Sequence, residues 1–137
     1  MRMVIDASLT LSWFFEDETT PKTMDLLDRI AREGAVAPTL WRMEVANGLQ
    51  TAIRRRRIDA AYRDQSLNDL KRLPITIDTS SDPNIWTSVV RLSDRYGLTI
   101  YDACYLDLAE RLNLPLATLD QKLQDAVIRL GLPTLGG

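Results

Sequence analysis

Four acidic residues stand where their carboxylates could act together on one ligand. Asp6 and Asp120 each follow a short apolar run of the kind that forms a buried strand. Glu44 lies early in a predicted helix, and Asp102 lies in a segment that is apolar on nearly every side. Carboxylates without His or Cys are typical ligands of Mg²⁺ or Mn²⁺. Gathered at one edge of a fold, these four would hold a cation that supports phosphodiester hydrolysis.

Each of these residues, taken alone, also has a purely structural interpretation. Asp6 could be a turn or cap residue at a strand end, and Asp120 is well placed as a helix N-cap. Thr99 and Asp102 match the spacing of a capping box. Capping does not exclude a ligand role, because one helix N-terminus can support both. The four acidic positions taken together favour the metal site.

The helix that carries Glu44 has small polar residues on the same face. Asn47, Gly48 and Thr51 follow Glu44 at three, four and seven residues, so they share its side of the helix. Side chains this small leave room for a ligand, and Asn47 is a candidate neighbour of the site. Arg55 returns to nearly the same face, roughly 16 Å along the axis.

Arg55 belongs to a run of four arginines, residues 54–57. Four consecutive residues on a helix cannot all face one way. One interpretation is a favourable interaction with a helix C-terminus plus solvation. The other is a patch that contacts phosphate or a protein partner. Arg55 is the best candidate for such a contact because of its face.

Composition removes several classes of enzyme. The 137 residues include no His and a single Cys. Ser–His–Asp and Cys–His hydrolysis and HExxH zinc sites are therefore excluded, as are a disulfide and a cysteine zinc cluster. The apolar runs fall short of the roughly 20 residues that a membrane span needs. Asp6 comes too early for a signal peptide, so we expect a soluble cytoplasmic protein.

Short apolar strands alternate with helices along the whole chain. This alternation predicts an α/β fold, a three-layer α/β/α sandwich with a mainly parallel sheet of four to five strands, in one domain over residues 1–137. Ligands of such folds lie beyond the carboxyl ends of the strands. The predicted strands are 3–5, 35–37, 75–77, 116–119 and 134–135. The predicted helices are 8–15, 20–34, 39–55, 59–73, 82–97, 99–112 and one capped by Asp120, the first being capped by Ser8 and the third by Thr39.

Several other side chains are predicted to serve packing. Trp41 and Trp86 are expected to lie against the core. Cys104, on the apolar helix, is expected to be a buried and inert small hydrophobe. Asp107 on that helix is expected to be solvated or paired with Arg111, four residues later.

The four acidic segments resemble the motifs of a known family. They resemble, in order and spacing, the four acidic motifs of PIN-domain ribonucleases, and most closely the VapC-type toxins of prokaryotic toxin–antitoxin pairs. The resemblance implies that Asp6, Glu44, Asp102 and Asp120 bind Mg²⁺ or Mn²⁺, with Ser8 and Thr118 as supporting hydroxyls. The segments are Val4-Ile5-Asp6-Ala7-Ser8, Met43-Glu44-Val45-Ala46-Asn47, Leu98-Thr99-Ile100-Tyr101-Asp102-Ala103 and Leu116-Ala117-Thr118-Leu119-Asp120.

The same resemblance implies a function and partners. It implies a metal-dependent endoribonuclease that leaves 5′-phosphate and 3′-hydroxyl ends. It also implies a homodimer that is neutralised by a cognate VapB-type antitoxin, which covers the site. Arg55 could contact either this antitoxin or RNA. The alternative is a non-catalytic, receiver-like regulatory or binding module with an acidic pocket. A receiver needs a second acidic residue beside Asp6 and a Lys at the last strand, whereas Lys122 falls within the last predicted helix.

Overall fold

Five short strands form one parallel sheet in the computed structural model, which describes residues 2–135. All four pairs of neighbouring strands are parallel, in the order β3-β2-β1-β4-β5. The α/β prediction is confirmed, at the upper end of the predicted strand number. The strands are β1 (Met3–Ile5), β2 (Ala35–Pro38), β3 (Ile75–Asp78), β4 (Leu116–Ala117) and β5 (Thr134–Leu135).

Helices connect the strands, as parallel pairing requires. The prediction of one helix from 82 to 97 is wrong, because this segment is divided into three elements. A 3₁₀ turn at Asp82–Asn84, which contains Pro83, and a π-helical turn at Ile85–Val89 come before the regular helix. Within residues 2–135 the α-helices are α1 (Ala7–Ser12), α2 (Pro21–Glu33), α3 (Leu40–Arg54), α4 (Ala60–Lys71), α5 (Val90–Tyr96), α6 (Ile100–Leu112) and α7 (Gln121–Leu130).

The order of the strands places a crevice beside β1. The chain runs from β1 through β2 to β3 on one side, and then returns to form β4 and β5 on the other side. The carboxyl ends of β1 and β4 therefore flank the point where the strand order reverses, which is where open α/β sheets bind ligands. Helix α3 leaves the carboxyl end of β2, and α6 runs back towards the start of β4. Both helices thus begin at this same edge.

Helix α6 lies in the core and fixes the geometry of that edge. It packs on β1, β2 and β4, and every residue from Ala103 to Ala109 is buried. The side chains of β1 are also fully buried. Such burial on all sides explains why this helix lacks the polar stripe of a surface helix.

A polar network anchors the C-terminal half of α6. The Asp107 side chain, in a residue only 1% exposed, accepts hydrogen bonds from Ser88 Oγ at 2.9 Å and from Arg111 Nε at 3.0 Å. Arg111 also donates to Ser80 Oγ at 2.6 Å and to Ser81 Oγ at 2.5 Å. The predicted pairing of Asp107 with Arg111 is confirmed. The same guanidinium ties the loop after β3 to α6.

Replacing Arg111 by Met is expected to lower the free energy of unfolding by about 2 kcal/mol, because it leaves the buried Asp107 carboxylate without its cation. The loss is smaller than for a fully buried pair, since Ser88 still donates to the carboxylate. Urea titration measures it. The control is Arg29→Met, which breaks the exposed pair with Glu33 and should cost no more than about 0.5 kcal/mol. Equal losses in the two variants would contradict the anchoring role of Arg111.

Three sequence interpretations need correction. Trp86 does not pack against the core, because it is 90% exposed on the π-helical turn, whereas Trp41 is buried as expected. Gly48 does not leave room for a ligand. A Cβ at this position would lie 2.4 Å from Leu11 Cδ1, so the glycine permits the close approach of α1 and α3. Thr39 precedes α3 but makes no capping hydrogen bond.

Cys104 confirms the expectation of an inert thiol. It is buried in α6. Burial raises the pKa of its thiol to about 11, with a further contribution from the charge of Asp107. The nucleophilic thiolate is therefore scarce at neutral pH.

Candidate active site

Asp6 is the buried acid at the carboxyl end of β1. It caps α1, because its Oδ1 accepts the Leu9 N–H at 3.0 Å. Ser8 was expected to cap this helix, but its hydroxyl instead donates to Asp6 Oδ1 at 2.8 Å. The Thr118 hydroxyl donates to the other oxygen, Oδ2. Burial nevertheless raises the pKa of Asp6 to about 6, and the charge of Asp102 adds to the rise.

The turn after β4 attaches a second acid to the first. Thr118 Oγ1, besides donating to Asp6, accepts the Asp120 N–H at 3.0 Å. The Leu119 N–H donates to Ser8 Oγ at 3.0 Å rather than to a neighbouring strand, so β4 ends at Ala117, two residues before the predicted end. Asp120 caps α7 through the Leu123 N–H at 2.9 Å, and the residue itself is exposed.

Asp102 is the electrostatic centre of the group. It lies half-buried in the first turn of α6, where its N–H donates to the Thr99 side chain at 3.1 Å. Burial raises the pKa of Asp102, and the charges of Asp120 and Glu44 raise it further. The charge of Lys122 opposes this rise. Asp102 thus lies close enough to Asp6, Glu44 and Asp120 for its charge and theirs to repel.

This arrangement fits a divalent cation by its chemistry. The acids provide only carboxylate oxygens, and their mutual repulsion favours a positive charge among them. Within residues 2–135, no three Asp, Glu or Cys side chains are already gathered tightly enough to hold an ion. A cation would therefore have to draw the carboxylates together.

Glu44 has a partner that sequence reasoning missed. The Tyr105 hydroxyl donates to Glu44 Oε1 at 2.6 Å, and Tyr105 is 1% exposed. Burial raises the pKa of the Tyr105 hydroxyl far above its ordinary value, and the bond to Glu44 adds to this. The phenol therefore stays protonated and remains a donor. Its position three residues after Asp102, on the same face of α6, is the signal that could have identified it.

Two other predicted residues remain apart from the acids. Asn47 is exposed on α3, and Arg55 is exposed just beyond the last residue of that helix. No hydrogen bond or ion pair among the described residues joins either of them to the four carboxylates. Arg57, in the same arginine run, has a structural role, because it pairs with Asp17 at 2.8 Å and lies over the ring of Phe15.

Comparison with known proteins identifies the family. The family model described as the PIN domain matches residues 3–128, which is most of the chain. The chain belongs to the PIN-domain family. Ribonuclease VapC9 of Mycobacterium tuberculosis is 33% identical to this PIN domain over 125 residues, covering 90% of this chain and 89% of the relative.

Two solved structures share the fold of this PIN domain. The crystal structure of PAE2754 from Pyrobaculum aerophilum matches with a TM-score of 0.67 and 27% identity, covering 92% of this chain and 87% of that one. A toxin–antitoxin complex from Klebsiella pneumoniae matches with a TM-score of 0.64 and 19% identity, covering 89% of both chains. The family match and the VapC relative confirm the resemblance carried by the acidic motifs and do not favour the receiver-like alternative. Within the part of this PIN domain that the structure describes, no helix combines the length and apolar character needed to cross a bilayer.

Proposed function

We propose that this PIN domain is a metal-dependent endoribonuclease that acts as the toxin of a VapBC-type toxin–antitoxin pair. The observation that carries the proposal is the position of Asp102, whose pKa is raised by burial and then by the charges of Asp120 and Glu44, and whose own charge acts on Asp6. The VapC name of relatives about 30% identical over most of the chain supports the same activity.

In this proposal the four carboxylates hold Mg²⁺ or Mn²⁺. The ion supplies positive charge against the phosphate and lowers the pKa of a water molecule. Ser8, Thr118 and the Leu9 N–H fix both oxygens of Asp6, so this side chain meets its ligand with little loss of conformational freedom. Thr118 also holds the backbone at Asp120, so the two acids are positioned by one hydroxyl.

The reaction proposed is hydrolysis of an RNA phosphodiester. A water oxygen forms a bond to phosphorus, the bond from phosphorus to the 3′-oxygen breaks, and a proton ends on that oxygen. The products are a 5′-phosphate and a 3′-hydroxyl. The net charge of −2 does not oppose RNA binding, because without the four proposed ligands 15 acidic residues remain against 17 Lys and Arg.

We propose RNA, a cognate antitoxin and a second copy of the chain as partners, with the cytoplasm as the place of action. Arg55 is a candidate contact to RNA or antitoxin, since it is exposed at the end of the helix that carries Glu44. Asn47 lies on α3 between Glu44 and Arg55, and it is a candidate neighbour of the bound substrate.

Removal of the metal is the direct test. Purified protein with Mg²⁺ is expected to cut RNA internally, and excess EDTA is expected to stop cleavage, because carboxylates alone cannot offset the charge that develops on the phosphate. Mapping of RNA ends should find 5′-phosphates.

Adding the purified product of a neighbouring small gene should inhibit cleavage, and light scattering gives the mass of each species. Cleavage that persists in EDTA, after repurification to exclude contaminants, would contradict the proposal.

A further inference from the structure

We infer that Tyr105 is a positioning residue of the active site, which holds Glu44 in the orientation needed to bind the metal. The inference rests on the proposed function, since it concerns how one of the four proposed ligands is presented. It adds to the site a residue that contributes no charge.

The geometry restricts both partners. Tyr105 lies in the fully buried stretch of α6, so its ring is held by packing on all sides. Its hydroxyl reaches Glu44 Oε1 at 2.6 Å, across the gap between α6 and α3. A hydrogen bond to an ionised carboxylate is among the stronger ones in proteins. Glu44 is therefore fixed by a rigid donor instead of sampling its several rotamers.

The bond also orients the second oxygen of Glu44. Because Tyr105 holds Oε1, the direction in which Oε2 points towards an external ligand is fixed as well. Glu44 is longer than the three Asp residues and lies on α3 rather than at the end of a strand. It is thus the acid that gains most from an external support, and none of the hydroxyls around Asp6 reaches it.

The position of Tyr105 along α6 explains how one helix serves two acids. Asp102 and Tyr105 are separated by three residues, which places them on one face about one turn apart. The first turn of α6 therefore presents its own carboxylate, and the second turn orients the carboxylate of α3. The relative placement of Asp102 and Glu44 depends on the packing of a single helix.

The test compares Mn²⁺ binding by the wild type, Tyr105→Phe and Tyr62→Phe, measured on the whole chain by the electron paramagnetic resonance signal of free Mn²⁺. Tyr105→Phe keeps the ring and removes the donor, so the dissociation constant should rise about 10-fold or more. Tyr62→Phe is the matched control, since it removes a 2.6 Å hydrogen bond to the Phe14 carbonyl on another part of the molecule. Its affinity for Mn²⁺ should equal that of the wild type.

A second variant keeps the inference testable if Tyr105→Phe does not fold. Glu44→Asp retains the charge but withdraws the carboxylate by about 1.5 Å, beyond reach of the phenol. It should lose at least as much Mn²⁺ affinity as Tyr105→Phe, because it displaces the ligand oxygen as well as breaking the bond to Tyr105. The double variant should lose no more than Glu44→Asp alone, because the phenol no longer reaches the shortened carboxylate.

The outcomes separate the inference from the proposed function. Wild-type affinity in folded Tyr105→Phe, or in Glu44→Asp, would overturn the positioning role while leaving the nuclease proposal intact. A strictly additive double variant would also overturn it. A wild-type protein that binds no Mn²⁺ would overturn the metal site and the inference together.

Discussion

Asp102→Asn is expected to reduce RNA cleavage on the order of 10³-fold or more while leaving the protein folded. The loss follows from the central position of Asp102, whose charge acts together with those of Asp6, Glu44 and Asp120. Asparagine keeps the size of the side chain and the N–H that donates to Thr99. It removes one of the negative charges proposed to bind the metal. Initial rates of cleavage of a labelled RNA, at saturating Mg²⁺, measure the effect.

Stability provides an independent check on the Asp102 variant. Removing this charge relieves repulsion among the acids, so Asp102→Asn without metal should be at least as stable as the wild type. Asp25→Asn, an exposed change on α2, is the matched control and should leave the cleavage rate unchanged. Wild-type activity in Asp102→Asn would remove Asp102 from the site. An unfolded Asp102→Asn protein would show that the residue is needed for structure.

Asp6→Asn is expected to make the metal-free protein more stable at neutral pH, by up to about 3 kcal/mol. The pKa of Asp6 rises from 3.8 to about 6 on folding, chiefly because the carboxyl is buried. Below pH 3.8 the group is protonated in both the folded and the unfolded chain, so it does not penalise folding. Between pH 3.8 and about 6 the unfolded chain ionises while the folded protein keeps its proton, so stability is lost; above about 6 the folded protein carries a buried charge. Asparagine has no such charge.

Urea titrations in EDTA from pH 4 to pH 8 measure this effect. The difference in unfolding free energy between Asp6→Asn and the wild type should be small at pH 4 and grow across the interval up to about 6. Mg²⁺ at 1,000 times the dissociation constant should reverse the order, because it stabilises only the protein that binds it, by about 4.1 kcal/mol. A metal-free Asp6→Asn protein less stable than the wild type at pH 8 would contradict the prediction.

The sequence predicted the order of elements because the relevant signals are local. Apolar runs of three or four residues, together with cap residues such as Thr20 and Asp59, place most strands and helices within two residues of their observed bounds. The edge of the sheet at which the acids meet also follows from sequence, since parallel strands and crossover helices leave few topologies. Ordered acidic motifs were enough to indicate the PIN-domain family, which the family match confirms.

What the sequence did not reveal depends on contacts between distant segments. Tyr105 in an apolar helix reads as a core aromatic, and only the three-dimensional structure shows its hydroxyl at Glu44 of α3. Gly48 reads as open space on a polar face, but the approach of Leu11 from another helix decides its role. Trp86 reads as buried because it is large and apolar, and the π-helical turn leaves it outside.

Helix α6 fixes the distance between the edge of the sheet that carries the acids and the loop after β3. Asp102, Tyr105 and Asp107 occupy fixed heights and angles on one stiff helix, and Arg111 holds its far end to Ser80 and Ser81. A single inserted or deleted residue within the helix rotates one end relative to the other by about 100°. Asp102, Tyr105 and Arg111 could then no longer all contact their partners. Homologous chains can therefore vary the loops around this helix in length far more freely than the helix itself.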